Sequence, residues 1–129
     1  MAARTASPET LDAVLHALAD TTRRDILART MRRPSSVSAI ARSYPMSFAA
    51  VQKHVAVLER AGLVAKQRRG REVLVRGRGE ALAPLDALLD QFEQLWRTRH
   101  AAMAELLAEG TDDGTARSPH DRRTTRSTS

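Results

Sequence analysis

The chain has 129 residues, which suits one domain, and its 42% hydrophobic content includes only 3% aromatic residues, so aliphatic side chains and alanine must fill most of the core. A formal net charge of +6 favours an anionic partner, either nucleic acid or an anionic membrane surface. The sequence has no cysteine, no signal-peptide core and no apolar run near the ~18 residues of a membrane span, which excludes disulfides, thiolate metal sites and membrane insertion and leads us to expect a cytoplasmic protein.

The first half of the chain has the hydrophobic periodicity of three short helices. Residues 1–7 are polar, and we expect them to be flexible. Each predicted helix follows a residue whose side chain can accept a hydrogen bond from a free backbone N–H of the first turn. The three predicted helices are 8–18, beginning at Ser7 or Pro8; 21–31, after Asp20; and 37–42, beginning at Ser36 or Ser38.

A fourth predicted helix runs directly into a short hairpin. Pro45 disfavours helical backbone at Tyr44, and Ser47 can then cap a helix over about 47–61. Gly62 can take the left-handed conformation that ends this helix. A short helix, a tight turn and a second helix together make a helix-turn-helix unit. The expected apolar stripe of the fourth helix is Ala50, Val51, Val55, Leu58 and Leu63, and the expected strands are 63–67 and 72–76.

The positive charge is concentrated in the hairpin. Segment 66–78 carries six cationic residues against the single carboxylate of Glu72, so it accounts for most of the net charge of +6. Arginine supplies nearly all of this charge, and its planar fork suits phosphate oxygens and guanine edges. A helix with a polar face followed by an arginine-tipped hairpin is typical of a winged helix-turn-helix. We therefore predict a mainly α-helical fold with a small β-hairpin that binds DNA.

A long helix is predicted after the hairpin, over 79–109, and its apolar residues recur in a heptad register that only Arg99 interrupts. The stripe is wider than a terminal helix needs for packing on a small domain, so we expect a second copy of the chain to cover it. The alternative, in which the helix packs only on its own domain, stays open. The residues predicted at the dimer interface are Leu11, Val14, Leu15, Leu85, Leu89, Phe92, Trp96 and Met103.

The segment 110–129 differs in composition from the rest. Apart from one alanine it has no apolar residue, so it cannot contribute to a core, and we expect a disordered tail. The predicted organisation is a flexible segment 1–7, a DNA-binding and dimerisation domain 8–109, and this tail.

Four blocks of the sequence resemble the arsenic-repressor (ArsR/SmtB) family of bacterial winged-helix transcription factors. They are the segments 17–27, 46–55 and 58–64, and Gly70-Arg71 in the hairpin. Thr21 stands where family members usually have proline. The resemblance covers about 10–109 and implies a homodimer formed by the first and last helices. It also implies a repressor that binds a double-stranded DNA operator near its own promoter.

In helix-turn-helix proteins the second helix enters the major groove with its N-terminal residues toward base edges. Gln52 can pair with adenine, Lys53 can reach guanine or phosphate, and Phe48 can touch a thymine methyl group. The alternative for this face is an ordinary solvated surface, and for His54 a structural role. The residues predicted to contact DNA are Ser47, Phe48, Ala49, Gln52, Lys53 and His54 on the helix and Arg68, Arg69 and Arg71 on the hairpin.

Metal sensors of the family mostly use cysteines in the third helix or His and acidic residues in the last. Here the third helix has neither thiolate nor imidazole, and the last helix has only His100. His16 and His100 could approach each other across a dimer and bind zinc, but two interfacial or surface histidines are the simpler interpretation. We therefore expect no metal and no cofactor, as in the cysteine-free branch that does not sense metals. A small-molecule effector at the dimer interface stays an open alternative.

Two other function classes have less support in the sequence. No nucleophile–base pair, paired carboxylates or Gly-rich phosphate loop is present, so we do not expect an enzyme. A winged helix that binds a partner protein instead of DNA is the remaining alternative, and the arginine cluster of the hairpin counts against it.

Overall fold

The computed structural model describes residues 7–110. Of the segments expected to be flexible (1–7) and disordered (110–129), residues 1–6 and 111–129 lie outside the described residues. Ser7 and Gly110 are described, Ser7 as the cap of the first helix and Gly110 as the last residue of the final helix. The described chain divides into two units, 7–90 and 91–110, with the division inside the last helix. The elements in chain order are α1 (Pro8–Ala17), α2 (Thr21–Arg32), β1 (Ser35–Ser36), α3 (Val37–Ala41), α4 (Phe48–Arg60), β2 (Val64–Arg69), β3 (Glu72–Gly77), a 3-10 turn (Gly79–Leu82) and α5 (Ala83–Gly110).

The first four helices begin as the sequence predicts. Each N-cap residue has extended backbone, and its side-chain oxygen accepts a hydrogen bond from the N–H three residues later, at 3.0–3.1 Å. This contact satisfies one of the backbone donors that have no partner within the helix. The four caps are Ser7, Asp20, Ser36 and Ser47.

The sheet has three antiparallel strands in the order β1–β3–β2. The sequence predicted only the hairpin of β2 and β3. β1 is the added strand, and its two serines pair with Val75 and Leu74 of β3. Two polar residues show no alternating pattern, so hydrophobic periodicity could not find this strand.

The hairpin is longer than predicted, because its loop is only two residues, Gly70 and Arg71. Gly70 has φ +63°, a left-handed conformation that glycine adopts without steric cost and that a tight hairpin requires. The prediction of Arg68 and Arg69 in the turn was therefore wrong. Both belong to the end of β2, where Arg69 lies opposite Glu72 in the register of the two strands.

One aliphatic core lies in the unit 7–90. Of the five residues predicted on the inner stripe of α4 and just after it, Val51, Val55, Leu58 and Leu63 are at most 1% exposed, and Ala50 is half-buried. Burying such side chains is the main favourable contribution to folding. The core consists of Val14, Ala17, Ile26, Leu27, Ile40, Val51, Val55, Leu58, Leu63, Val64 and Val75.

The predicted last helix begins one turn later than expected, because 79–82 form a 3-10 turn. Pro84 is the second residue of α5, a position at which its missing N–H costs no helical hydrogen bond. In the second unit, every residue from Gln91 to Gly110 is exposed. None of the helices between Ser7 and Gly110 combines the length and apolar character required to span a membrane.

Candidate nucleic-acid interface

The outer face of α4 carries both polar and apolar side chains at the N-terminal end of the helix. Val51, Val55 and Leu58 turn the opposite face into the core. Phe48, the first helical residue, is 47% exposed, although it is a large hydrophobic side chain. The predicted contact residues that lie exposed on this face are Ser47, Phe48, Ala49, Gln52 and Lys53.

His54 differs from these five residues, since it is only partly exposed and contacts α2. Its Nδ1 lies 3.3 Å from Nη1 of Arg23. A guanidinium can only donate, so the imidazole accepts at Nδ1. Of the alternatives considered for His54, this contact supports the structural one.

Five of the six cations of segment 66–78 fall into two groups, and the sixth, Arg76, is exposed on β3. Lys66 pairs with Glu59 of α4 at 3.6 Å. Arg78 pairs with Glu80 at 3.2 Å, and its Nη1 donates to the carbonyl oxygen of Gly62. Lys66 therefore links β2 to α4, and Arg78 links the end of the hairpin to the residues that directly follow α4. Within residues 7–110, the side chains of Arg68, Arg69 and Arg71 are exposed and have no hydrogen bond or ion pair.

The turn between α3 and α4 is attached to α2. The hydroxyl of Tyr44 donates to Oδ2 of Asp25. Arg29 donates to Oγ of Ser43 and to the carbonyl oxygen of Ala39. Sequence reasoning did not find these contacts, because each joins residues at least ten positions apart on different elements.

The residues predicted at a dimer interface have different environments in the two units. Val14 is fully buried in the core of its own protomer, so its side chain is not available to a second copy. Leu15 of α1 is 40% exposed. Leu11 and Leu85 are half-buried, and the exposed members of the set are Leu89, Phe92, Trp96 and Met103, at 53–63%.

The two histidines considered as zinc ligands lie in different units. His100 has its ring against Trp96, with the centroids 4.4 Å apart. Among the side chains of residues 7–110, no group of three or more His, Asp or Glu is arranged to hold a metal ion.

Comparison with known proteins gives consistent matches. A family model described as a helix-turn-helix domain matches residues 18–67. The HTH-type transcriptional regulator Rv2034 of Mycobacterium tuberculosis is 35% identical over 102 residues, which cover 79% of this chain and 92% of that protein. The structure of an ArsR-like transcriptional regulator from Rhodococcus sp. RHA1 is 34% identical, with a TM-score of 0.65, and the match covers 76% of this chain and 92% of that one.

A third match is to a protein described as a homodimer. The homodimeric winged helix-turn-helix DNA-binding domain of Mb0332 from Mycobacterium bovis is 29% identical, with a TM-score of 0.54 and coverage of 67% of this chain and 80% of that one. The outer face of α4, the arginine-bearing hairpin and the three-stranded sheet occur together in a chain that matches these regulators over most of their length. The chain belongs to the ArsR family of DNA-binding, winged helix-turn-helix transcriptional regulators.

Proposed function

We propose that the protein is a homodimeric, sequence-specific repressor of its own operon. The observation that carries this proposal is the pairing of an exposed α4 face with three arginines that have no partner in the described residues. A winged helix-turn-helix uses such a helix in the major groove, while basic side chains beside it neutralise phosphates. A protein-binding module would not need a cluster of this charge.

In this proposal α4 is the recognition helix, and its residues have different roles. The amide of Gln52 suits the N6 and N7 edge of adenine, and Lys53 suits guanine or a phosphate. Phe48 and Ala49 offer apolar contact to thymine methyl groups, and Ser47 fixes the start of the helix near the backbone of the DNA. His54 contributes through its contact with Arg23.

The homodimer is proposed on the exposed apolar residues of α1 and α5. Leu15 in the first unit, together with Phe92, Trp96 and Met103 in the second, would be covered by a second copy. The homodimeric Mb0332 domain supports this assembly. A dimer places two recognition helices on half-sites about one helical turn apart, ~34 Å, which predicts an imperfect palindrome as the operator.

The proposal is tested with the protein's own upstream DNA. We expect fluorescence anisotropy to show nanomolar binding to that DNA and at least ~10³-fold weaker binding to a scrambled duplex at the same salt concentration. A reporter under the same promoter should be less active when the protein is present. Equal affinity for both duplexes would contradict sequence-specific binding, and an unchanged or increased reporter signal would contradict repression.

The role of the hairpin is tested through salt dependence. Replacing Arg69 or Arg71 with alanine should lower the magnitude of the slope of log K against log salt by close to 0.9 for each phosphate that the protein no longer neutralises. Arg97→Ala is the control, since it removes the same charge from α5, where Arg97 pairs with Glu93. Equal slopes for the hairpin variants and wild type would exclude phosphate binding by these arginines.

A further inference from the structure

We propose that Arg23 is a positioning residue for DNA binding, which holds the recognition helix α4 through His54 while it is itself anchored on the end of α1. The inference rests on the proposed function, because it concerns the orientation of the α4 face in the DNA groove. We call the contact between these two side chains the Arg23–His54 clamp.

The guanidinium of Arg23 joins three helices. Arg23 lies in the first turn of α2, and its side chain is only 13% exposed. Its Nε donates to the carbonyl oxygen of Ala17 at 2.8 Å, and its Nη2 donates to that of His16 at 3.1 Å. These two bonds, at the end of α1, fix the plane of the guanidinium. Nη1 is left 3.3 Å from His54 Nδ1 on α4.

Capping of α1 does not by itself explain this arrangement. The neighbouring Arg24 also serves the α1–α2 junction, since its Nη1 donates to the carbonyl oxygen of Leu18 at 2.7 Å and its Nη2 contacts Oγ1 of Thr21. Only Arg23 of these two continues from the junction to α4. Asp20 lies beside it, with Oδ2 3.9 Å from Nη1, and balances the buried part of its charge.

The clamp is directional, whereas the other contacts of α4 with the core are not. The helix rests on the core through Val51, Val55 and Leu58, and apolar contacts tolerate small rotations and shifts. A hydrogen bond restricts distance and angle together. His54 directly follows Gln52 and Lys53, so fixing its ring fixes the direction in which these two side chains leave the helix. A displacement of about 1 Å at a binding site is enough to weaken it strongly.

The clamp also connects α4 with α1, which carries Leu15 of the proposed dimer surface. In a dimer, each recognition helix would therefore be held relative to the subunit contact. We expect the distance between the two helices, and with it the preferred spacing of half-sites, to depend on Arg23 and His54.

Four variants test the proposal. His54→Leu removes the acceptor but keeps a side chain of similar size, and His54→Asn keeps an acceptor oxygen close to the position of Nδ1. Arg23→Lys keeps the charge but loses the fork that reaches all three acceptors. Arg24→Lys is the matched control, since it makes the same change one residue along.

The measurements are affinity for the upstream DNA, affinity for a scrambled duplex, and affinity for versions of the upstream site with half-site spacing changed by one base pair. His54→Leu and Arg23→Lys should bind the natural site roughly tenfold more weakly, as expected when one hydrogen bond to a charged group is removed, and should discriminate less between spacings. Binding to the scrambled duplex should not change. His54→Asn and Arg24→Lys should behave like wild type.

Three results would overturn the clamp: full affinity and spacing preference in His54→Leu, a loss in His54→Asn equal to that in His54→Leu, or equal effects of the two arginine substitutions. Thermal unfolding checks that each variant is folded, and if His54→Leu is not, the comparison of Arg23→Lys with Arg24→Lys decides. Failure of the proposed function looks different, because wild type itself would then not prefer the upstream site.

Discussion

Tyr44 is the only tyrosine of the chain, and its phenol attaches the turn before α4 to α2. Burial is the largest cause that raises the pKa of Tyr44 to about 12, and the hydrogen bond and negative charge of Asp25 add to it, while Arg29 opposes them. The native structure therefore favours the neutral phenol. Since the hydroxyl donates, ionisation would place two negative charges side by side.

We predict that tyrosinate absorbance, which reports this one residue, will show a midpoint near 12 in the folded protein, against 10.0 for an ordinary tyrosine. The raised pKa of Tyr44 stabilises the fold fully below pH 10, and this contribution is lost as pH rises from 10 to 12. Asp25→Asn should lower the midpoint but leave it above 10.0, because burial remains. A midpoint near 10 in folded wild type would contradict the contact.

Asp20 caps α2 with a side chain that can carry a negative charge. The hydrogen bond from the backbone N–H of Arg23 is the main cause that lowers the pKa of Asp20 below its ordinary value of 3.8, with burial opposing it and the positive charge of Arg23 assisting. Because the folded-state pKa is lowered, the stabilisation is present above pH 3.8 and is lost as pH falls through the lower folded-state value.

We predict that Asp20→Ala will lower the free energy of unfolding by about 1 kcal/mol near neutral pH, as loss of an N-cap does. The difference from wild type should shrink below pH 3.8. Urea denaturation at several pH values measures it. Ser36→Ala is the control: it removes a cap that does not ionise, so its effect on the free energy of unfolding should stay constant over the same pH range. If the effect of Asp20→Ala were constant as well, the negative charge of Asp20 would not contribute to stability.

At the scale of elements, the junction of α2 with β3 depends on a close approach at Gly77. A Cβ at this position would lie 2.6 Å from Cγ of Met31, 2.8 Å from its backbone N and 3.0 Å from its Cα. The last two atoms belong to the helix backbone, which cannot move aside as a side chain can. Glycine is therefore required here by packing.

We predict that Gly77→Ala will destabilise the fold by about 1–3 kcal/mol, the usual cost of overpacking, measured as the free energy of unfolding in urea. Adding Met31→Ala should restore only part of it, because the backbone clash remains. Gly110→Ala is the control, since nothing lies within 4 Å of its added Cβ. Full restoration by Met31→Ala would show that only the side chains conflict.

The helices were predictable from the sequence because their signals are local. A capping side chain and a 3.6-residue apolar period lie within one segment, as Asp20 or Ser47 shows. β1 was not predictable, since its two serines become a strand only by pairing with β3. The same holds within the site: the exposed face of α4 follows from periodicity, but the Arg23–His54 clamp joins residues 31 positions apart, and no local pattern encodes it.

At the scale of the whole molecule, the apolar side chains of the second unit require an explanation. Between Gln91 and Gly110, Phe92, Trp96, Leu106 and Leu107 are 54–66% exposed in the single chain. An apolar surface of this kind on one helix is typical of a protein–protein interface. The heptad spacing of Leu89, Trp96 and Met103 is that of helices that pair with each other.

We predict a dimer in sedimentation velocity at micromolar concentration, and a monomer for Phe92→Glu, because a carboxylate at the centre of the interface would have to be buried without a partner. Gln94→Glu adds the same charge two residues along, on a different side of the helix, and should remain a dimer. The Phe92→Glu monomer should still unfold cooperatively, since residue 92 lies outside the core of 7–90.

The same variant connects assembly with DNA binding. A monomer presents one recognition helix, so the Phe92→Glu variant cannot bind both half-sites at once. It should therefore bind the full upstream site at least tenfold more weakly than wild type, while its affinity for an isolated half-site stays unchanged. Such a result would mean that the dimer surface of α5 does not itself contact DNA, and that dimerisation is required for recognition of the full operator. Equal weakening on the full site and the half-site would mean that Phe92 acts on the reading face itself, and the assignment of α5 to assembly would then be wrong.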